Sequence, residues 1–160
     1  FGSRQDVAEL LLACGAKVNV RNKEGRTPLH RAAFKGHADV ADLLLARGAD
    51  INAEDDEGRT PLHRAASAGR EGVAELLLAR GAEIDAEDKR GWTPLHHACF
   101  KDRRTVAELL LTRGARVDAK DREGQTPMQL AAAEGHTNVA GPFVASSADV
   151  AGDRILGQDR

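Results

Sequence analysis

A six-residue motif recurs every 33 residues along most of this chain. The first copy reads Gly-Arg-Thr-Pro-Leu-His and starts at Gly25; further copies start at Gly58, Gly91 and Gly124, the last ending in Gln. A second motif, Val-Ala-x-Leu-Leu-Leu-x-x-Gly-Ala, follows each of the first three copies. This period requires stacked units, because a unit of this size can bury its apolar face only against its neighbours.

Each unit carries the sequence signals of two short helices. Thr27 suits an N-cap, and Pro28 suits the first helical position, where its missing N–H costs nothing. In the second motif, Val40, Leu43 and Leu44 recur at i, i+3 and i+4, which is the apolar stripe of a buried helix. The glycine that follows this stripe suits a left-handed C-terminal cap.

The Thr-Pro-Leu-His motif at this period resembles the ankyrin repeat family. The resemblance implies an all-α solenoid of stacked helix-turn-helix repeats with hairpin-like turns, about four full repeats after a partial N-terminal one. The last repeat is degenerate because Pro142, Phe143 and Val144 stand where earlier units have leucines. The predicted divisions are a partial repeat (second helix and turn) at 1–21, repeats at 22–54, 55–87 and 88–120, a degenerate repeat at 121–153 and a truncated tail at 154–160.

Composition and motifs give no sign of catalysis. With 23 basic and 25 acidic residues, the net charge of −2 favours neither nucleic acid nor a membrane surface. The chain has no phosphate-binding loop, zinc-protease motif or nucleophile elbow, and no apolar run long enough to cross a membrane. We predict a non-enzymatic protein with no catalytic residues, cofactor or metal. By register Cys14 and Cys99 are too far apart for a disulfide, which favours an intracellular, cytoplasmic location.

Regularly spaced histidines could suggest a metal site, but the register disfavours one. His30, His63 and His96 lie one repeat apart, too far for a shared ion. The resemblance implies instead that these histidines tie adjacent turns together by hydrogen bonds. Asn19 and Asn52, at the turns between repeats, are expected to hydrogen-bond their own turns.

The positions that differ between repeats lie on the turn tips and first helices, the surface that ankyrin-like proteins use for recognition. Three of the five aromatic residues, Phe34, Trp92 and Phe100, fall in this set. Tryptophan and arginine are enriched at the centres of interfaces, and we expect Trp92 to be exposed at a turn tip. The candidate partner-binding residues are Arg26, Arg31, Phe34, Lys35, Arg59, Arg64, Trp92, His97, Phe100 and Lys101.

This variable surface carries ten basic residues against five acidic ones. The basic residues are Lys23, Arg26, Arg31, Lys35, Arg59, Arg64, Lys89, Arg90, Lys101 and Arg122, and the acidic ones are Glu24, Asp56, Glu57, Glu123 and Glu134. The excess would attract an acidic partner. A structural alternative is that Arg31 and Arg64 pair with Glu57 or Glu24 across turns.

We therefore predict a protein-interaction scaffold that binds an acidic or mixed-charge protein segment on the concave turn and first-helix face, with Trp92 and Phe100 as anchors. Two alternatives stay open. The same face could bind an oligonucleotide or a nucleotide-like effector by stacking and phosphate contact, although the resemblance disfavours nucleic acid as the partner. The chain could also be a designed or excised segment with no partner of its own, or could self-associate through its open ends.

Overall fold

The computed structural model describes residues 4–136 and residue 139, and the predictions for the helix around Pro142 and for the tail lie outside these residues. Eight α-helices form within the described residues. They are α1 (Arg4–Ala13), α2 (Pro28–Lys35), α3 (Ala38–Ala46), α4 (Pro61–Ala68), α5 (Glu71–Ala79), α6 (Pro94–Phe100), α7 (Arg104–Thr112) and α8 (Pro127–Ala133). The predicted all-α repeat fold is confirmed.

The helices form two parallel rows. The first helices of the repeats stack in the order α2, α4, α6 and α8, and the second helices stack as α1, α3, α5 and α7. Helix α1 is the second helix of the partial repeat. The first helices α2, α4 and α6 also pack on the second helices of their own repeats, α3, α5 and α7. The apolar core therefore runs as a continuous layer between repeats.

Leucines and small side chains fill this layer. Leu29, Leu62 and Leu95, at one position of successive first helices, are fully buried. Ala66 and Cys99 are also fully buried. Their small side chains allow neighbouring helices to approach closely. Burial raises the pKa of the Cys99 thiol to about 12.

A histidine in the first turn of α2, α4 and α6 ties each of these repeats to the next. The backbone N–H of Thr60 donates to Nδ1 of His63 at 3.1 Å, so Nδ1 is an acceptor and Nε2 carries the proton. That Nε2–H donates to the carbonyl of Trp92 in the next repeat at 2.9 Å. Equivalent bonds join His30 to the Arg59 carbonyl at 2.8 Å and His96 to the Gln125 carbonyl at 3.1 Å. The expected role of these histidines is confirmed.

A second series of bonds follows the loop between the two helices of a repeat. The Nε–H of Arg70 donates to the carbonyl of Phe34 at 3.1 Å, and that of Arg103 donates to the carbonyl of Ser67 at 3.2 Å. Gly36 lies directly under this contact, with φ +81°, and a Cβ there would approach Cδ of Arg70 to 2.8 Å. Glycine is therefore required both for the left-handed turn and for the close approach.

The asparagines between repeats bond the following repeat rather than only their own turn, so that expectation is wrong. Oδ1 of Asn19 accepts from the N–H of Asp50 at 2.9 Å, and Oδ1 of Asn52 accepts from the N–H of Glu83 at 3.0 Å. Asp85 does the same for the N–H of Arg116 at 3.0 Å. The stacking of repeats brings the next turn within reach.

Replacing His63 with Leu tests the inter-repeat tie. The change introduces an apolar side chain of similar size and leaves the N–H of Thr60 unpaired in the interior. It also removes one of the two donors to the carbonyl of Trp92, which still accepts the N–H of Asp88 at 2.9 Å. We expect the free energy of unfolding, measured with urea and circular dichroism, to fall by about 2–4 kcal/mol. Gln129→Leu is the matched control, because Gln129 occupies the same helix position, is exposed and accepts the N–H of Thr126 at 2.9 Å. Equal losses for the two variants would contradict the role given to His63.

The buried histidines also predict a pH dependence. Burial, with a smaller effect of His97, lowers the pKa of His63 to about 4 from 6.5, and burial lowers the pKa of His30 and His96 too. Between pH 6.5 and about 4 the unfolded chain therefore binds protons that the folded chain does not. We expect the free energy of unfolding to fall as the pH drops through this window, by up to about 1.4 kcal/mol per pH unit for each histidine.

Urea titrations between pH 7 and pH 4 measure this dependence. The pKa values of Asp55 and Asp88 lie below the ordinary value of 3.8, so the contribution of these carboxylates to stability is lost mainly at pH values below this window. The His63→Leu variant should show a shallower dependence than the parent. A parent stability that does not change across the window would show that these histidines are not held neutral by the fold.

Candidate partner-binding face

The first-helix face is the surface formed by α2, α4, α6 and α8 on the side away from the second helices. Its most exposed aromatic residue, within the described part of the chain, is Phe34, whose exposed fraction is 41%. Arg31 and Lys35 on the same helix are also exposed. Nζ of Lys35 lies 5.9 Å and Cζ of Arg64 lies 5.3 Å from the centre of the Phe34 ring. These contacts place two cations beside an accessible aromatic ring.

Arg26 and Arg59 are half-buried around a carboxylate of the turn. The Oδ1 atom of Asp55 accepts the N–H groups of Glu57 and Arg59, both at 3.0 Å. Its Oδ2 atom lies 3.3 Å from Nε of Arg59 and 3.8 Å from Nε of Arg26. Burial opposes ionisation of Asp55, but the two N–H donors and the charges of Arg59 and Arg64 outweigh it and lower its pKa. Both arginines therefore take part in the fold of the turn.

The alternative pairing of Arg31 and Arg64 with Glu24 or Glu57 is wrong. Glu24 pairs with Arg26, and Glu57 lies 3.9 Å from Arg59. The turn carboxylates are therefore taken by the turn arginines of their own repeats. Arg31 and Arg64 form no ion pair with the described residues.

Trp92 is buried rather than exposed, so the expectation for its turn tip is wrong. Its exposed fraction is 8%, and its Nε1–H donates to Oδ2 of Asp121 in the next repeat at 2.9 Å. The ring packs against Phe100, with centres 5.0 Å apart, and against His97 at 5.1 Å. The following turn can cover the indole without an energetic cost for its one polar atom, because Asp121 in that turn accepts the Nε1–H.

His97 lies in the same cluster. Its side chain is 12% exposed, and its Nε2 atom is 2.8 Å from Oδ2 of Asp88 in the turn of its own repeat. Burial opposes ionisation of Asp88, but the hydrogen bond from His97 and the N–H groups of Arg90 and Trp92 lower its pKa. His97 and Asp88 therefore satisfy each other within the third repeat.

The sequence matches the family described as ankyrin repeats (3 copies) over residues 1–88 and 80–151. The chain belongs to the ankyrin repeat family. Ankyrin repeats generally mediate interactions between proteins. No curated protein matches the chain significantly.

The structure divides the predicted site residues of this ankyrin array into two groups. One group contacts the buried aspartates of the turns: Arg26, Arg59, Trp92 and His97. The accessible group comprises Arg31, Phe34 and Lys35 on α2, Arg64 on α4, Phe100 at the end of α6 and Lys101 directly after it. Phe100 is half-buried, and Nζ of Lys101 lies 4.9 Å from the centre of its ring.

Sequence reasoning missed the buried turn aspartates that decide this division. Asp55, Asp88 and Asp121 recur every 33 residues and are each at most 8% exposed. Their Oδ1 atoms accept two backbone N–H groups of the turn, as in the bonds from Arg90 at 2.8 Å and from Trp92 at 3.0 Å to Asp88. The sequence signal that could have indicated these aspartates is their recurrence at the same repeat position, where neighbouring charged residues vary.

An apolar groove of about 770 Å³ opens at the N-terminal end of the ankyrin array, between α1, α2 and α3. Leu11 and Val20 line it and are exposed, and Arg31 and Lys35 lie at its edge. The prediction of self-association through an open end concerns this surface and stays a prediction. In the described residues, no group of three His, Cys, Asp or Glu side chains could hold a metal ion. Among the same residues, no helix has the length and apolar character to span a membrane.

The different burial of two aromatic residues predicts different effects on stability. Trp92→Ala removes a buried ring and its hydrogen bond to Asp121, and we expect it to lower the free energy of unfolding by about 3–5 kcal/mol. Phe34→Ala, at an exposed ring, should cost less than about 1 kcal/mol. Urea unfolding of both variants measures the difference. Similar losses would show that the burial of Trp92 has no special role in the fold.

Proposed function

We propose that this ankyrin array is a non-enzymatic interaction module that binds an acidic or mixed-charge protein segment on its first-helix face. The observation that supports the proposal most directly is the exposed ring of Phe34 among the cations Arg31, Lys35 and Arg64. An exposed aromatic ring with flanking cations has no evident role in the fold, and such residues are enriched at interfaces.

The distribution of ion pairs supports the same face. On the second-helix side, arginines pair with carboxylates of the preceding repeat: Arg80 with Asp42, and Arg113 with Glu75 at 2.9 Å. The first-helix face has no corresponding pairs for Arg31, Lys35 or Lys101 within the described residues. A segment with carboxylates would therefore meet uncompensated positive charge there, which promotes association and orients the partner.

A nucleic-acid partner has less support. The hypothesis depended on Trp92 as a stacking surface beside cations, and Cζ of Arg90 does lie 5.2 Å from the centre of that ring. The indole is nevertheless covered by the next turn. The exposed Phe34 is a single ring, whereas single-stranded nucleic acids are usually held by successive stacking residues.

Photo-crosslinking of the full chain in cell extract, followed by mass spectrometry, tests the proposed function. The face variant combines Arg31→Ser, Phe34→Ser and Lys35→Ser, and the control variant combines Arg47→Ser and Arg104→Ser, which are exposed arginines of the second-helix row. We expect the parent and the control to capture the same proteins, and we expect the captured amount of these proteins to be at least about ten-fold lower with the face variant.

Nuclease treatment distinguishes the two kinds of partner. Capture of the same proteins before and after nuclease treatment is expected for a direct protein partner. Capture that disappears with nuclease would indicate a nucleic-acid bridge. Equal capture by the parent and the face variant would overturn the proposed binding face.

A further inference from the structure

We propose that Arg64, held on the ring of Phe34, is a binding site for a side-chain carboxylate of the partner. The proposal rests on the proposed function, since it names the chemical group that the first-helix face recognises. It starts from a comparison of Arg64 with His97, which occupies the same helix position one repeat later. The two residues have different local partners.

In the third repeat the polar group at this position is satisfied by its own turn. Nε2 of His97 lies 2.8 Å from Oδ2 of Asp88, which is nine residues earlier. In the second repeat the residue nine positions before Arg64 is Asp55, but its Oδ2 atom faces Arg59 and Arg26. The guanidinium of Arg64 therefore lacks the carboxylate that His97 has.

Arg64 forms no ion pair with the described residues, although Asp55 and Glu24 attract it from a distance. Its Nε atom is buried and has no hydrogen-bond partner among the described residues. Burial and the neighbouring charges of Arg26 and Arg59 lower the pKa of Arg64, so its surroundings disfavour the positive charge of the guanidinium. A carboxylate brought by a partner to the terminal nitrogens of the guanidinium would offset the repulsion from these two arginines.

The position of the guanidinium is already set in the unbound chain. Cζ of Arg64 lies 5.3 Å from the centre of the Phe34 ring, which comes from the preceding repeat. A guanidinium stacked on an aromatic ring keeps its N–H groups available at its edge, in the fork geometry that matches a carboxylate. Half-burial strengthens such a pair relative to one in bulk water. Lysine at this position could supply the charge but not the fork.

A partner carboxylate at Arg64 would lie in the middle of a continuous surface. Phe34 and Lys35 lie on one side, on α2, and Phe100 at the end of α6 and Lys101 directly after it lie on the other side. Stacked helices are about 8–10 Å apart, so α2 and α6 are separated by about 16–20 Å. An extended segment of about five or six residues spans that distance at about 3.3 Å per residue. The favoured ligand is thus a short extended segment with a central Asp or Glu flanked by apolar residues.

Selection from a display library of random 12-residue linear peptides tests the site. The full chain can be attached to a surface through Cys14, which is exposed, because Cys99 is buried and its thiol pKa is raised to about 12. We expect the enriched peptides to share an Asp or Glu between apolar residues. The best of these peptides, made synthetically, then serves as the probe for affinity measurements.

A double-mutant cycle identifies the contact. Arg64→Gln should weaken binding by about ten-fold or more, and changing the peptide's acid to its amide should cause a similar loss. The two changes together should weaken binding no more than either one alone. Arg64→Lys should recover only part of the affinity. Lys101→Gln, which removes a charge from the far end of the same binding surface, should cause a smaller loss than Arg64→Gln. Arg47→Gln is the matched control, since it removes an exposed charge from the second-helix side, and it should have an effect of less than about three-fold.

Four results would overturn the assignment in different ways. Additive effects of Arg64→Gln and the peptide amide would show that the acid binds elsewhere. Equal losses for Arg64→Gln and Lys101→Gln would show a diffuse charge effect on the same face, leaving the proposed function intact. A phosphoserine peptide that binds more than about ten-fold tighter than the acidic one would identify phosphate as the ligand. Peptides whose affinity is the same for the parent and for the Phe34→Ala, Arg64→Gln and Lys101→Gln variants would overturn the proposed function as well.

Discussion

The structure depends on a bond that each of the helices α2, α4 and α6 makes to the next repeat through a neutral, buried histidine. One ring nitrogen accepts from the start of its own helix and the other donates to the carbonyl of the following turn, as in the pair formed by His63 and Trp92. Because the ring has a fixed width, this bond sets both the conformation of the turn and the spacing between units. The leucines then pack at that spacing, and the arginines and asparagines complete further bonds between repeats.

Most of this framework could be predicted from the sequence because its causes are local and repeated. Thr27 and Pro28 define where a helix starts, and α2 begins at Pro28 as these residues indicate. The burial of Trp92 could not be predicted in the same way, since it depends on a hydrogen bond to Asp121, 29 residues later. A turn tip is exposed or covered according to what the next repeat places over it, which a single repeat does not encode.

The candidate site shows the same limit at finer scale. The sequence pattern places Arg26, Arg59 and Arg64 on one variable surface, but it does not show which of them Asp55 would engage. That depends on the direction in which each side chain leaves the turn or the helix. The turn aspartate holds the two turn arginines, and the helix arginine remains on Phe34. A similar division separates His97, which is bonded to Asp88, from Lys101.

The stacking of α2, α4 and α6 has a consequence for how binding and folding are coupled. Within the described residues, the main helix contacts join elements of one repeat or of adjacent repeats, so local opening of one interface need not require the whole chain to unfold. A ligand that rests on three successive helices would be released by the opening of either interface beneath it. Its binding free energy would therefore oppose those two openings and leave the more distant ones unchanged. The array would respond to its ligand as a set of coupled joints, with rigidity gained only along the segment that is occupied.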